Sequence, residues 1–392
     1  MQKTYHQELP IISEELSKYL NDLLGKKLRK KYLKSIITPM EEYTLHIFKN
    51  YEKIDIILRN LQNLGYKARI NKRFQNLIEV KPKGPFKLIV EEDLKEIVVD
   101  NRASEMIYQG SDVFIPGIKR ANKVRKNDQV KIVSLEQILV AKAEALMSHN
   151  EILSKKRGIA AKNILSPYKV PSLLELQMEN EPLFFQSFPA YLTSLNVDPG
   201  SEDKILDCCS APGNKTIHLH ELSGGKGKIF AVDRSSNRLQ KLNERIEKFK
   251  LRNITTLKGN IVEMSKNWQV KFDKILVDPP CTALGLRPRL HISISHKIIK
   301  ESSRYQKKIL KACSKMLKTK GILVYSTCTI TKEENEEVIE YIINNSDLKL
   351  VEQEFQFGNT YLSQSQIQCG IQRFIPGIDQ TVGFFIAKLQ KK

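Results

Sequence analysis

Val277–Asp278–Pro279–Pro280–Cys281–Thr282 and, 47 positions further on, Tyr325–Ser326–Thr327–Cys328–Thr329 are the stretches on which the reading of this 392-residue chain turns. Each closes a short apolar run, Phe272–Val277 and Ile322–Tyr325, that reads as a buried parallel strand. In open α/β sheets ligands and chemistry collect just beyond the carboxyl ends of the strands. Two cysteines placed there can face one pocket.

Outward from these stretches the pattern is strand, loop, helix, repeated. Lys204–Cys208, Lys228–Val232, Ile254–Leu257, Phe272–Val277, Gly321–Tyr325, Leu348–Val351 and Val382–Lys388 are seven strand candidates. With helical segments between most of them, they predict a seven-stranded, doubly wound, Rossmann-like sheet, the last strand forming an antiparallel hairpin at its edge. The first strand runs into Asp207–Cys208–Cys209–Ser210–Ala211–Pro212–Gly213–Asn214–Lys215–Thr216. Small residues and Gly213 let the backbone approach a ligand where a helix begins. Asn214 between Gly213 and Lys215 breaks the Gly-Lys-Ser/Thr of a nucleotide-triphosphate loop. The second strand ends in Asp233, placed to take a ribose hydroxyl pair, with Arg238 one turn later to hold it. A nucleoside cofactor is the expected ligand.

Three regions follow from the changes of pattern. Residues 1–93 read as a small α+β region: a helix over Ser13–Leu24, strands Thr44–Phe48 and Ala68–Ile70, and a helix Ile54–Leu64 that Gly65 ends. Its basic run Lys26, Lys27, Arg29, Lys30, Lys31 and Lys34 suits a solvated helix face as well as an RNA contact. Residues 94–170 hold short strands separated by turn residues, which suggests a small β-barrel. Lys119, Arg120, Lys123, Arg125, Lys126 and Lys131 crowd into thirteen positions there. Residues 171–392 form the sheet domain, entered through a proline-rich connector whose Phe184, Phe185 and Phe188 are expected to pack onto it.

The bulk numbers narrow the partner. A formal net charge of +20 suits a polyanion, nucleic acid before anionic membrane. No apolar run approaches the ~20 residues of a membrane span, and Met1–Leu9 lacks the apolar core of a signal peptide. Six cysteines without a Cys-x-x-Cys pair predict reduced thiols in a cytoplasmic protein, and no metal. Cys208, Cys209, Cys313 and Cys369 read as packing thiols. Thr331–Lys332–Glu333–Glu334 reads as a capping box at a helix start.

Taken together, Asp-Cys-Cys-Ser-Ala-Pro-Gly-Asn-Lys-Thr, Ala-Val-Asp-Arg-Ser, Asp-Pro-Pro-Cys-Thr and Tyr-Ser-Thr-Cys-Thr resemble, in order, the motifs of the Nop/Sun family of RNA cytosine-5 methyltransferases. The resemblance covers about residues 180–390, and Arg373–Phe374–Ile375–Pro376 fits it too. The 94–170 stretch, chiefly Gly110–Ile118, resembles a PUA domain, an RNA-binding pseudo-barrel. With Leu284–Gly285–Leu286–Arg287–Pro288, it looks like the archaeal tRNA-modifying branch, which methylates nucleotide 72 of the acceptor stem beside the CCA end.

The resemblance implies a class I methyltransferase fold, S-adenosylmethionine as methyl donor, tRNA as partner and a monomer working without metal. Cys328 is then the nucleophile, Cys281 the group that assists release, Asp278 the contact to ring nitrogen 3, and Lys215 their positioner. Asp207, Ala211, Pro212, Gly213, Asn214, Lys215, Asp233, Arg238, Asn260 and Asp278 become the cofactor set, and Lys119, Arg120, Arg125 and Lys126 the RNA-facing set. Two departures stand out: Asn214 replaces a usual Gly, and Asn260 replaces a usual acid, leaving its side-chain oxygen to meet the adenine amino group.

Three rivals remain. An amino-methyltransferase with an Asp-Pro-Pro-aromatic grip lacks its aromatic, because Cys281 fills that position. A non-catalytic RNA-binding scaffold has no use for both cysteines and Asp278. Ribosomal RNA is the other substrate for the same chemistry, and the PUA-like stretch discriminates against it.

Overall fold

The computed structural model describes residues 2–4, 8–48, 53–176, 178, 181–360 and 370–392. Cys369 lies outside them. Helix α1 (Glu14–Ile36) opens on the Ser13 side chain, which accepts from the Leu16 amide, and bends at Gly25 (φ 73°). It is longer than the Ser13–Leu24 expectation because the basic run continues the helix past the bend. Leu16, Leu20 and Tyr32 bury its inner face against Leu284, Ile292 and Ile330 of the sheet domain. Strand β1 (Tyr43–Ile47), helix α2 (Ile54–Asn63), β2 (Ala68–Ile70) and β3 (Leu77–Val80) follow.

The barrel comprises β4 (Lys95–Val99), helix α3 (Asn101–Ile107), β5 (Val113–Phe114), β6 (Ile118–Arg120), β7 (Gln129–Ser134), β8 (Leu139–Ala145), helix α4 (His149–Ser154) and β9 (Ile159–Leu165). Its sheet runs β5-β9-β8-β7-β4-β6. The two edge strands are joined by Ile115–Gly117 alone, so the sheet curls back on itself. Ile37 and Leu290, from the two flanking regions, enter its core. Strand β10 (Leu183–Phe185) pairs with β1 of the N-terminal sheet. The connector is thus shared between regions that the sequence separates at residue 171.

The large sheet is built from β11 (Lys204–Asp207), β12 (Lys228–Asp233), β13 (Ile254–Lys258), β14 (Phe272–Val277), β15 (Leu317–Thr327), β16 (Leu348–Leu350), β17 (Ile371–Phe374) and β18 (Phe384–Lys391). The order is β13-β12-β11-β14-β15-β18-β16, with β17 pairing to β18. The expected last strand is antiparallel, yet β18 inserts between β15 and β16 rather than lying at the edge. Its residues Phe384–Ala387 are all buried, and an edge position would leave them in water. β17, unassigned in the sequence, makes the eighth strand.

Alternate residues serve the two faces. Leu206, Ile275, Val277, Leu323 and Tyr325 pack beneath Ile309, Leu310 and Cys313 of helix α5 (His296–Met316) and Ile339 of α6 (Glu336–Asn344). Ile205, Leu276, Val324 and Ile386 pack against Leu192, from the helix Phe188–Val197, and Leu219, from the helix Asn214–Leu222. The strand order reverses between β11 and β14, and the crevice beyond that switch point is where both cysteine stretches end.

Candidate active site

Beyond β14 and β15, Cys281 Sγ lies 3.3 Å from Cys328 Sγ. Two turns hold them. The Gly285 amide donates to the Cys328 carbonyl at 2.9 Å, and the Gly383 amide donates to the Gly285 carbonyl at 2.7 Å. A Cβ on Gly285 would meet the Gly383 carbonyl oxygen at 2.0 Å, so glycine is required for this close approach. The sulfur of Cys328, followed by burial, pushes the Cys281 thiol well above its ordinary pKa. Cys281 therefore keeps its proton in the resting pair.

Asp278 sits beneath the pair. Lys215 Nζ donates to Asp278 Oδ2 at 2.6 Å, and Ser326 Oγ donates to Oδ1 at 2.8 Å. Burial opposes the Lys215 charge, yet the neighbouring Asp278 carboxylate outweighs it and raises the lysine pKa. Lys215 stays an ammonium, and Asp278 is fixed in orientation by both bonds. The pairing expected between these two residues is present.

The cavities divide the remaining residues. One of ≈ 230 Å³ is lined by Asp207, Cys209, Ala211, Pro212, Gly213, Asn214, Lys215 and Asp278, with Gln186 and Ser210. Its neighbour, ≈ 640 Å³, is lined by Ala211, Asp233, Arg238, Asp278, Cys281 and Cys328, with Arg234, Gly259 and Tyr305. Ala211, Cys209 and Asp278 line both, so the two are one trough. Asp233 accepts from the Ala211 and Ser235 amides and from Arg238 Nη2 at 2.8 Å. Burial raises Asp207 to about 7, and Thr216 Oγ1 donates to it at 2.7 Å.

Asn260 departs from expectation. Its side-chain oxygen caps the short helix Ile261–Met264 at the Val262 amide (3.1 Å) and accepts from Tyr305 Oη (3.3 Å). The residue lines neither cavity, because an asparagine oxygen at a helix start is claimed by the orphan amides. Gly259, Ile261 and Tyr305 face the trough instead. Asn214 spends its amide on the Phe185 carbonyl and its oxygen on Arg245.

Glu334 was missed. It is fully buried rather than a surface helix start: the Thr282 amide (2.9 Å) and Gln306 Nε2 (3.0 Å) donate to Oε1. The hydroxyls of Thr282 and Thr331 (2.9 Å) donate to Oε2. It ties the loop carrying Cys281 to the one carrying Cys328. The capping-box spacing hid this role, since Thr331 bonds Glu334 in both readings, and the helix starts only at Glu336. Gln186 and Ser210, also unforeseen, carry buried polar side chains without protein partners on the wall of the smaller cavity.

The four barrel cations Lys119, Arg120, Arg125 and Lys126 are all exposed. Lys119 and Arg120 also pair with Asp100 (3.7 Å) and Glu96 (3.1 Å), which offsets part of their charge. Arg287 of the Gly-Leu-Arg-Pro segment points inward: its buried guanidinium binds Glu41 (2.9 Å) and the carbonyls of Thr38 and Pro39.

An acid after each of the first two strands, a glycine loop between them, and a cysteine pair over a Lys–Asp ion pair define a nucleoside-cofactor methyltransferase joined to a β-barrel. The profile "16S rRNA methyltransferase RsmB/F" matches residues 194–390 and that of the PUA domain residues 95–165. The chain belongs to this family of RNA cytosine-5 methyltransferases, the Nop/Sun family. The tRNA (cytosine(72)-C(5))-methyltransferase of Pyrococcus horikoshii is 34% identical over 386 residues, 98% of each chain. Human NSUN6, of the same description, is 26% identical over 86% of this chain and 84% of its own. The crystal structure of NSun6 from Pyrococcus horikoshii with SFG superposes with a TM-score of 0.87 over 97% of this chain and 98% of that one, at 34% identity.

Proposed function

We propose that the protein transfers a methyl group from S-adenosylmethionine to carbon-5 of a cytosine in tRNA, nucleotide 72 of the acceptor stem, through a covalent adduct at carbon-6. The observation that carries this reading is the cysteine pair, 3.3 Å apart, over the Lys215–Asp278 ion pair in one trough. The trough suits the donor: Asp233 faces it beside Arg238 for a ribose, Tyr305 and Ile261 offer an apolar wall, and Ser210 Oγ is buried without a partner. S-adenosylmethionine supplies an electrophilic methyl on a sulfonium sulfur.

The residues do the rest. Cys328 as thiolate adds to carbon-6 of the flipped base, and its electron pair makes carbon-5 nucleophilic. The proton that the Cys328 thiol gives up on adding is delivered by Asp278, oriented by Lys215 and Ser326, to ring nitrogen 3, where negative charge develops. Cys281 holds its proton while Cys328 is free. Once the Cys328 sulfur is committed to carbon-6, it no longer bonds the Cys281 thiol, the main cause that held that proton in place. Cys281 then gives its proton to solvent and, as thiolate, takes the carbon-5 proton; the C–H electron pair re-forms the ring double bond and the carbon–sulfur pair leaves with Cys328 as thiolate.

Ribosomal RNA is the weaker alternative. It takes its support from the family description and from an Arabidopsis relative described as an rRNA (cytosine-C(5))-methyltransferase, 24% identical over 80% of this chain; the Synechocystis relative described as acting on ribosomal RNA matches only 50%. The tRNA reading is favoured by the Pyrococcus relative, which at 34% identity matches 98% of this chain, barrel included. None of the helices among the described residues is long and apolar enough to cross a membrane. A cytoplasmic monomer is the form we assign to the enzyme.

The test is a denaturing gel after incubation with tRNA and cofactor. Cys281→Ala should accumulate a covalent protein–tRNA adduct, Cys328→Ala should give neither adduct nor product, and the double variant should lose the adduct. Adduct from Cys328→Ala alone would exchange the two roles. Adduct from neither single variant would refute covalent catalysis.

A further inference from the structure

Away from the trough, three side chains from distant parts of the sequence meet in the interior. His46, on β1, and His218, on the helix Asn214–Leu222, are both fully buried. Glu221 stands one turn after His218, its side chain 16% exposed. One donor atom from each lies within 4.8 Å of the others.

Their hydrogen bonding is incomplete in a telling way. His46 Nε2 approaches Glu221 Oε2 to 2.9 Å, an ion-pair distance, yet the contact does not form a hydrogen bond and neither atom has a hydrogen-bond partner elsewhere. Both ring nitrogens of His218 are buried without a partner too. A buried imidazole or carboxylate left so forfeits its hydration without replacement, so something is expected to satisfy them. Lone pairs that crowd together without pointing at one another converge on a shared third body. In a tetrahedral zinc site, ligands at about 2.0–2.1 Å from the metal stand ~3.3 Å apart; the His46–Glu221 contact of 2.9 Å is near that, and the other separations, within 4.8 Å, close by a side-chain shift on binding.

The surroundings match a metal site better than a hydrogen-bonded network. Tyr191 stacks on His218 at 4.5 Å, and Phe184 packs edge-on to His46 at 5.0 Å. This apolar wall fixes both rings and keeps water out. Two imidazoles and one carboxylate, with no sulfur, are a zinc donor set.

The geometry points to a zinc site formed by His46, His218 and Glu221, three protein ligands that leave the fourth position to a small ligand at the partly exposed Glu221 side. The ion would clasp the N-terminal sheet to the helix Asn214–Leu222. That helix carries Lys215 in its first turn, one turn before His218, so the clasp also braces the lysine that orients Asp278. The sequence argued against metal because it has no Cys-x-x-Cys pair. These ligands instead come from a strand near residue 46 and an His-x-x-Glu step near 220, a pattern that no local spacing reveals.

The test uses the full-length chain without a histidine tag. Metal content by mass spectrometry of the purified protein should give about one zinc per chain. After stripping with chelator, Co²⁺ should restore a visible ligand-field spectrum that Zn²⁺ then displaces. Glu221→Gln, at a partly exposed side chain, should fold and bind Co²⁺ at least tenfold more weakly, and His218→Ala should lose the spectrum. If His218→Ala does not fold, Glu221→Gln decides alone. A stripped protein that gains neither spectrum nor thermal stability with either ion overturns the site. So does a Glu221→Gln variant that binds like the parent, since the ion would then sit elsewhere, on the cysteine pair for instance.

Discussion

Replacing Glu334 by Gln tests whether the cysteine pair is held in place by a buried carboxylate. In the parent, four donors converge on it: an amide and a side-chain amide on Oε1, two hydroxyls on Oε2. Hydrogen bonds to a charged group contribute about 1.5–3 kcal/mol each, neutral ones about 0.5–1.5. Glutamine keeps an oxygen for the two N–H donors and turns an NH₂ towards two hydroxyls, which can rotate to accept. The loss is therefore the difference in strength, about 1–1.5 kcal/mol for each of the four bonds, and amounts to about 4–6 kcal/mol. For a domain of this size that lowers Tm by about 10–20 °C. The Thr282 hydroxyl, which loses its acceptor on Oε2, loosens the loop and lets Cys281 drift from Cys328, and a misplacement of about 1 Å costs roughly 10²-fold in rate. Single-turnover methyl transfer measured well below Tm should fall by that order. Cofactor affinity should hold, because Asp233 and the Ala211–Gly213 loop end other strands. A rate within threefold of the parent would refute the positioning role, as would equal losses of rate and cofactor binding.

Two further outcomes are expected. Burial lifts Glu105 to about 7 against the partial opposition of Arg289 and the Leu290 amide, so its folded pKa lies above its unfolded value near 4.5. The native state then holds the extra proton between these values: stability is full below pH ~4.5, falls as pH rises to 7 by up to ~1.4 kcal/mol per unit, and levels beyond. Glu105→Gln should flatten that part of the urea-derived stability curve, and an unchanged slope would refute it. Neutralising Lys119, Arg120, Arg125 and Lys126 together should lower the salt dependence of tRNA binding by about 0.9 per lost phosphate contact. An unchanged slope places the RNA track elsewhere. Charge neutralisation is a cleaner probe than excising the barrel, since Ile37 and Leu290 are buried in its core.

Some features of this protein were decided locally and were therefore legible. Apolar runs of four to six residues closed by Pro-Pro-Cys or Ser-Thr-Cys read as buried strands ending at a site, and β14 and β15 end there. The acid after β12 and the glycine loop follow from the same strand-end logic, whereas the Lys215–Asp278 pair was implied by the family resemblance. Other features depended on which segments meet. β18 is central because its burial on both faces needs neighbours that the chain supplies from residues 317–327 and 348–350. Asn260 became a helix cap because nearby orphan amides compete for its oxygen before any ligand arrives. Glu334 carries the same Thr-x-x-Glu spacing as a surface cap, and only packing under α5 shows that its carboxylate serves Thr282, 52 positions upstream. His46 and His218 stand 172 positions apart, and nothing in either neighbourhood names the other. Strand ends and turns obey short-range sterics and hydrogen-bond geometry, so the chain alone determines them. A shared proton, a buried carboxylate or a metal clasp depends on distances across the fold, and those exist only once the core has closed.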